Sequence, residues 1–265
     1  MASTSKPGIA TANSGGSLTE TGIEIRTSDG TADGLLYQPE GNSTWPGVFF
    51  FTDISGIRAS QRAMAARICS EGYAVLMPNL YYRTGKPPLF EPGLKFGDEQ
   101  FMKRMAELLS PLTSEAVERD AGNYIDFLAQ QNAVKKPRFG AIGLCVSGAT
   151  VLRMAAARPD QIAAAASFHG GRLYSDAPTS PHLLLPRIKA RLYFGHAVND
   201  KSMPQAAIGN FNRALEEWGG KYESEVYDAA HGWTVTDSPA YNSPQAERGF
   251  KALKELFVET LLGTN

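Results

Sequence analysis

The sequence predicts a single α/β domain: a mostly parallel, twisted sheet of about eight strands with helices on both faces. Three observations point there. From residue 23 onward, short apolar runs alternate with helical patterns. The middle runs are almost continuously apolar, as strands covered on both faces are. A chain of 265 residues with 43% apolar residues also closes a core without a disulfide or metal staple. In order, strands are expected at residues 23–26, 32–37, 47–51, 73–77, 138–142, 162–168, 190–194 and 222–227. Helices are expected between them. The first, 60–71, pairs Met64 with Ile68 and Ala65 with Cys69 at i, i+4 and has Gly72 at the C-cap position. The next, 115–130, carries Val117, Ala121, Tyr124, Ile125 and Leu128 on one stripe. Residues 146–157, 205–218 and 245–262 complete the set. Residues 80–97, rich in proline and aromatics, read as a long surface excursion.

Composition excludes several classes. The formal net charge is −1, from 26 basic and 27 acidic residues, so no electrostatic footprint for nucleic acid or an anionic membrane is present. Cys69 and Cys145 are far apart and form no CxxC pair, and four scattered histidines complete no zinc set, so no metal is expected. Few cysteines suit a reducing compartment. No apolar run reaches the roughly 18 residues of a membrane helix. Residues 1–22 are rich in Ser, Thr and Gly and lack the apolar centre of a secretory signal. They read as a flexible polar tail before a domain at 23–265, and a cytoplasmic location is expected.

The most informative segment runs from Arg138 to Ala149. An apolar strand ends near Gly143, a helix begins near Val146, and Cys145 sits in the turn between them. This is the layout of a nucleophile elbow, G-x-[S/C]-x-G, with Ser147 where the strict pattern has glycine and Gly148 one residue later. A thiol at a helix N-terminus faces the positive end of the macrodipole, and the N–H of Val146 is placed for a developing oxyanion. Taken alone, Cys145 also reads as a buried structural cysteine. Cys69, on the apolar stripe of its helix, reads as core.

A nucleophile at an elbow needs an acid and then a histidine further along the chain. Asp200 follows the strand at 190–194, and His231 follows the strand ending at Tyr227. Both, like Cys145, lie just past carboxyl ends of strands, where open α/β sheets bind ligands. The spacings of 55 and 31 residues leave room for intervening α/β units. His196 is a possible loop hydrogen-bonder, His169 a possible pocket residue and His182 a structural residue in a proline-bounded loop. Asp228 is too near His231 in sequence to hydrogen-bond its ring easily.

These residues resemble the dienelactone hydrolase family of α/β-hydrolases. The resemblance rests on Gly143-Leu-Cys-Val-Ser-Gly148, on Gly195-x-x-x-x-Asp200-x-x-Met-Pro204 and on His231-Gly-Trp. It extends to Thr52-Asp-Ile-Ser-Gly-Ile57 and Pro78-Asn-Leu-Tyr-Tyr-Arg83. It implies Cys145 as nucleophile, His231 as base and Asp200 as its partner, with the N–H groups of Ile54 and Val146 forming the oxyanion hole. It also implies that Asp53, where relatives often carry Glu, contacts the resting thiol as a gate, and that Arg83 binds a substrate carboxylate. Four residues after the histidine, where the family has a second arginine, this chain has Val235. Arg58 or Arg172 are the possible substitutes. Tyr81, Tyr82, Phe90 and Trp233 suggest an aromatic-walled pocket or, equally, packing.

The chemistry implied is hydrolysis of a small lactone or activated ester through a thioester on Cys145, without an organic cofactor, by a monomer or small homo-oligomer. A broader carboxylesterase or thioesterase uses the same three residues. A thiol sensor or ligand binder on the same scaffold is the reading from a different class.

Overall fold

Among the described residues, Leu18 is the first that is buried. The computed structural model of the protein describes residues 8–10 and 17–263. Two compact units, Met1–Lys135 and Lys136–Asn265, carry the α/β architecture.

In the first unit, strand β2 (Leu18–Thr27) pairs antiparallel with β3 (Gly30–Pro39) along its whole length, from Leu18 opposite Pro39 to Thr27 opposite Gly30. Leu18 and Ile25 of one strand, and Ala32, Leu36 and Tyr37 of the other, are buried. The polar tail expected to reach residue 22 therefore gives way to a strand at Leu18. The ladder satisfies the backbone of Thr19-Glu-Thr-Gly22 whether or not its side chains are apolar, and composition is blind to that. A short strand, β1 (Gly8–Ala10), adds to the edge of β2. The rest of the tail, residues 1–7 and 11–16, lies outside the described residues.

The strand order in this unit is β1-β2-β3-β5-β4, with β4 (Trp45–Phe51) parallel to β5 (Ala74–Pro78). Both are buried almost throughout, as their unbroken apolar sequences require. Helix α1 (Ala59–Ser70) separates them in sequence and sends Ala65, Ile68 and Cys69 inward. A helix the periodicity did not announce, α2 (Glu99–Leu109), follows the proline-rich excursion. Phe101 and Leu108, seven residues apart on one face, bury it. Phe90 and Phe96 of the excursion pack on Phe101 at 4.2 and 5.6 Å between ring centres. Helix α3 (Ser114–Ala129) starts where the Thr113 hydroxyl accepts the N–H of Ala116.

The second unit is uniformly parallel: β6 (Val134–Leu144), β7 (Ile162–Phe168), β8 (Arg191–Ala197) and β9 (Tyr222–Tyr227) lie in that order. Helices α4 (Gly148–Ala157), α5 (Gln205–Trp218) and α6 (Ser243–Phe257) connect or follow them. The run Ile162-Ala-Ala-Ala-Ala-Ser-Phe168 is wholly buried, and its small side chains let α4 approach closely. Three loops leave the carboxyl ends of β6, β8 and β9, and they carry Cys145, Asp200 and His231.

Candidate active site

The strand β6 ends at Leu144, and the chain turns sharply at Cys145, whose φ of 56° lies in the left-handed region that non-glycine residues rarely occupy. A 3-10 turn, Cys145–Ser147, leads into α4. The turn depends on missing side chains. A Cβ on Gly143 falls 2.2 Å from the Ser147 carbonyl oxygen, and one on Gly148 falls 2.3 Å from Ser167 Oγ and 2.8 Å from the Gly170 Cα. Ser147, the departure from the strict elbow pattern, fits because its hydroxyl turns back on the bend. It accepts the Leu144 N–H at 2.8 Å and donates to the Leu144 carbonyl at 2.9 Å. Val146, half-buried, occupies the first turn, where helical N–H groups lack intrahelical acceptors.

The structure brings Cys145, His231 and Asp200 together. His231 Nε2 lies 3.0 Å from Cys145 Sγ, and Nδ1 lies 2.6 Å from Asp200 Oδ2. Burial opposes a charge on the His231 imidazole. The hydrogen bond to Asp200 and the contact with the Cys145 sulfur override it and push the pKa up to about 10. Burial likewise opposes the Asp200 charge, but the bonds from His231 and Ser202 hold its carboxyl below the usual carboxylate value. Such a chain can hold a proton on the imidazole while a thiolate reacts, and return it later.

Two supporting residues escaped the sequence reading. Ser202 donates both its N–H, at 2.8 Å, and its hydroxyl, at 2.7 Å, to Asp200 Oδ1. It leaves Oδ2 for the imidazole. The signal was present, since Asp-x-Ser commonly closes on itself as an Asx turn. Gly171 donates its N–H to the Cys145 carbonyl at 3.2 Å, a contact between segments distant in sequence and invisible in any local pattern.

Several expected substrate contacts are corrected. Arg83 does not offer a free guanidinium. It makes two hydrogen bonds to Asp29 and two to Asp120, and its side chain is only 10% exposed. Burial works against its charge, but the two carboxylates more than restore it. Tyr82, beneath the guanidinium at 4.5 Å, also bonds Asp120. The sequence presents an arginine after an aromatic pair, but Asp29 and Asp120 arrive from a hairpin turn and a distant helix. Arg83→Ala is therefore expected to lower stability by about 3 kcal/mol, because the buried Asp120 keeps its Tyr82 bond but loses its cation. It should leave the KM ratio of acidic to neutral esters unchanged. Denaturant melts and parallel kinetics check this, and a selective KM rise for acidic esters would restore the carboxylate role.

Trp233 is fully buried, stacked on Tyr227 at 4.2 Å and set edge-on to Phe168 at 5.8 Å, so it is core rather than pocket wall. Gly249 of α6 makes room for it, since a Cβ there falls 2.6 Å from the indole. Val235 is buried at 2% exposure, so a residue at that position packs inward. Tyr81 is buried, with its hydroxyl on the Asp53 carbonyl at 3.1 Å.

Asp53 is held by its own neighbours. Arg58 grips both its oxygens, at 2.7 and 2.8 Å, and Gln61 and the Ser55 N–H complete its set. Arg58 is thereby committed as well. Ile54 follows it, buried in the loop after β4. Arg172 is exposed, with a left-handed backbone whose N–H donates to the Ser202 carbonyl.

The remaining histidines separate clearly. His196 is buried on β8 beside Ser224 and pushed down to about 4 by burial. His182 stacks on Tyr174 and bonds Ser180. His169 is buried against His231, with ring centres 5.1 Å apart. Cys69 is core, its thiol pushed up to about 12 by burial. A groove of about 920 Å³ in the first unit, lined by Leu18, Leu35, Arg62 and Pro87 among others, contains none of the three clustered residues. Among the described residues, no group of three or more His, Cys, Asp or Glu is placed to hold a metal ion, and no helix is long and apolar enough to cross a membrane.

The chain resembles known proteins in sequence and in fold. A Synechocystis protein named "Putative carboxymethylenebutenolidase" is 26% identical over 228 residues, covering 84% of this chain and 90% of its own. A Rhodococcus opacus protein named carboxymethylenebutenolidase is 27% identical over 211 residues, covering 78% of each. The crystal structure of a "Putative Dienelactone Hydrolase" from Klebsiella pneumoniae superposes with a TM-score of 0.81 at 21% identity, covering 91% of this chain and 99% of that one. The likeness in that case is one of fold. The dienelactone hydrolase family model matches residues 32–261, a span that holds the left-handed cysteine, the aspartate and the histidine alike. With an α/β-hydrolase fold and this match over most of its length, the chain belongs to the dienelactone hydrolase family of hydrolases.

Proposed function

We propose that the protein hydrolyses a lactone or activated ester through Cys145 as nucleophile, His231 as acid–base and Asp200 as the orienting partner. The observation that carries this is the continuous contact from Sγ through the imidazole to a buried carboxylate, at 3.0 and 2.6 Å, on a cysteine held in a left-handed turn. The thiolate attacks the carbonyl carbon, and the charge that develops on oxygen meets the N–H of Val146. When the C–O bond breaks, the leaving oxygen takes the proton from His231 and a thioester remains on Cys145. The imidazole, now neutral, removes a proton from water as that water attacks the thioester. The carboxylic acid departs and the sulfur is regenerated. Acylation also removes the thiolate that helped hold the imidazole proton, so the base is freed at the step that needs one.

A second reading, a broader carboxylesterase or thioesterase, is favoured by the commitment of Arg83 to Asp29 and Asp120 and by the buried valine at position 235. It takes neutral acyl groups as readily as acidic ones. Kinetics on acidic lactones, neutral esters and acyl thioesters separate the two.

The direct test of the nucleophile is alkylation. Iodoacetamide at neutral pH is expected to modify Cys145 at least about 100-fold faster than Cys69, which is buried with a raised thiol pKa. Peptide mapping after partial labelling reads the ratio. Equal labelling, or labelling of Cys69 first, rules out an activated Cys145.

A further inference from the structure

His169 follows the end of β7 and faces the base without belonging to the three residues above. Its backbone has a φ of 39°, a sparsely populated conformation for a residue with a side chain. Its ring is 1% exposed. Nε2 lies 2.8 Å from Thr234 Oγ1, while Nδ1 is buried without a hydrogen-bond partner. The ring meets that of His231 edge to face, 5.1 Å between centres at 65°, and that of Trp233 at 6.0 Å. A residue needed only to fill this space is better served by phenylalanine, which buries no unpaired nitrogen. An unpaired polar atom and a left-handed backbone coincide at one residue, and that residue touches the base.

We propose that His169 is a positioning residue for His231: a neutral, polar wall that fixes the plane of the imidazole so that it meets Asp200 and Cys145 at once. The proposal rests on the reading of Cys145, His231 and Asp200 given above. Asp200 holds Nδ1 at 2.6 Å, but a sulfur is a weak hydrogen-bond partner, so the contact with Sγ adds little to stop the far side of the His231 ring from swinging about that anchor. The His169 ring, tethered by Thr234 and backed by Trp233, blocks that swing. Its neutrality matters as well. Among the described residues, the titratable groups that act on His231 are Cys145, Asp200 and His169, and a second imidazolium would repel the first. Burial, and then the charge of His231 itself, hold His169 well below the usual imidazole value.

The test compares full-length wild-type protein with His169→Ala, His169→Phe and Thr234→Val. Four quantities are read: kcat and KM on a p-nitrophenyl ester, the pH profile of Cys145 alkylation by iodoacetamide, and the His231 titration by NMR. His169→Ala should lower kcat about 10-fold with KM within about twofold, move the His231 titration to lower pH and move the alkylation profile to higher pH, because a loosened imidazolium stabilises the thiolate less. His169→Phe, which keeps the bulk of the wall but cannot bond Thr234, should recover only part of that loss. Thr234→Val, which frees the ring without opening a cavity, should fall between and reports even if His169→Ala fails to fold. If wild-type Cys145 is not alkylated ahead of Cys69, the catalytic reading falls and this proposal falls with it. If it is, but the pH profile and the titration stay at wild-type values in His169→Ala or in Thr234→Val, only the role of His169 is overturned.

Discussion

Cys145→Ala is expected to reduce hydrolysis of a p-nitrophenyl ester by about three orders of magnitude or more, with the fold intact. Alanine carries the same Cβ, so it takes the left-handed turn at much the same strain as cysteine, and the half-buried sulfur contributes little to the core. What is lost is the atom that forms the thioester. No neighbour replaces it, because the other cysteine is buried on α1. The same variant has a second expected signature. The Asp200 bond survives, but the bond and charge contributed by the Cys145 sulfur disappear, so the His231 pKa should fall from about 10 toward the ordinary imidazole value. An NMR titration reads that shift without any substrate. Retained turnover in Cys145→Ala would remove the nucleophile assignment. Lost turnover with an unmoved His231 titration would show that sulfur and imidazole do not share a proton.

Asp200→Asn is expected to lower kcat by about 10³–10⁴-fold, a size familiar from other hydrolases that lose this carboxylate. The reason here is specific. Ser202 aims two donors, its N–H and its hydroxyl, at Oδ1. The asparagine carbonyl must therefore occupy the Oδ1 position, which directs the amide NH2 at His231 Nδ1. Nδ1 then has to accept, the ring proton moves to Nε2, and the nitrogen facing the thiol can no longer take its proton. KM should change little, since Asp200 is buried behind the imidazole. A kcat within about threefold of wild type would show that the carboxylate only packs.

Much of this site was legible before any coordinates, because its signals are local. A thiol between an apolar strand and a helix, small residues on either side of it, and an aspartate and a histidine at later strand ends are all visible as spacing. The order of the three residues already restricts the chemistry. The positions the sequence could not place share one cause. The resemblance offers Arg83 to a substrate carboxylate and the sequence leaves Trp233 open between pocket wall and packing, but their contacts are set by partners from elsewhere: Asp29 and Asp120 for the arginine, Phe168, Tyr227 and Gly249 for the indole. Helix α2 was passed over because its amphipathic face is short and follows a proline-rich run, and the aromatic contacts that pin it come from that run. The strand at Leu18 was masked by polar side chains whose backbone the hairpin satisfies.

By itself, then, the sequence determined the alternation of strands and helices, the elbow, and the candidate sulfur, carboxylate and imidazoles, since periodicity and turn chemistry act over a few residues. Only the tertiary structure decided that the imidazole of His231 rather than His169 or His196 meets the sulfur, that Ser202 selects which oxygen of Asp200 it meets, and that Arg83 is taken up by other carboxylates. Hydrogen bonds and ion pairs act over a few ångströms in space, and folding alone brings residues so far apart in the chain within that range.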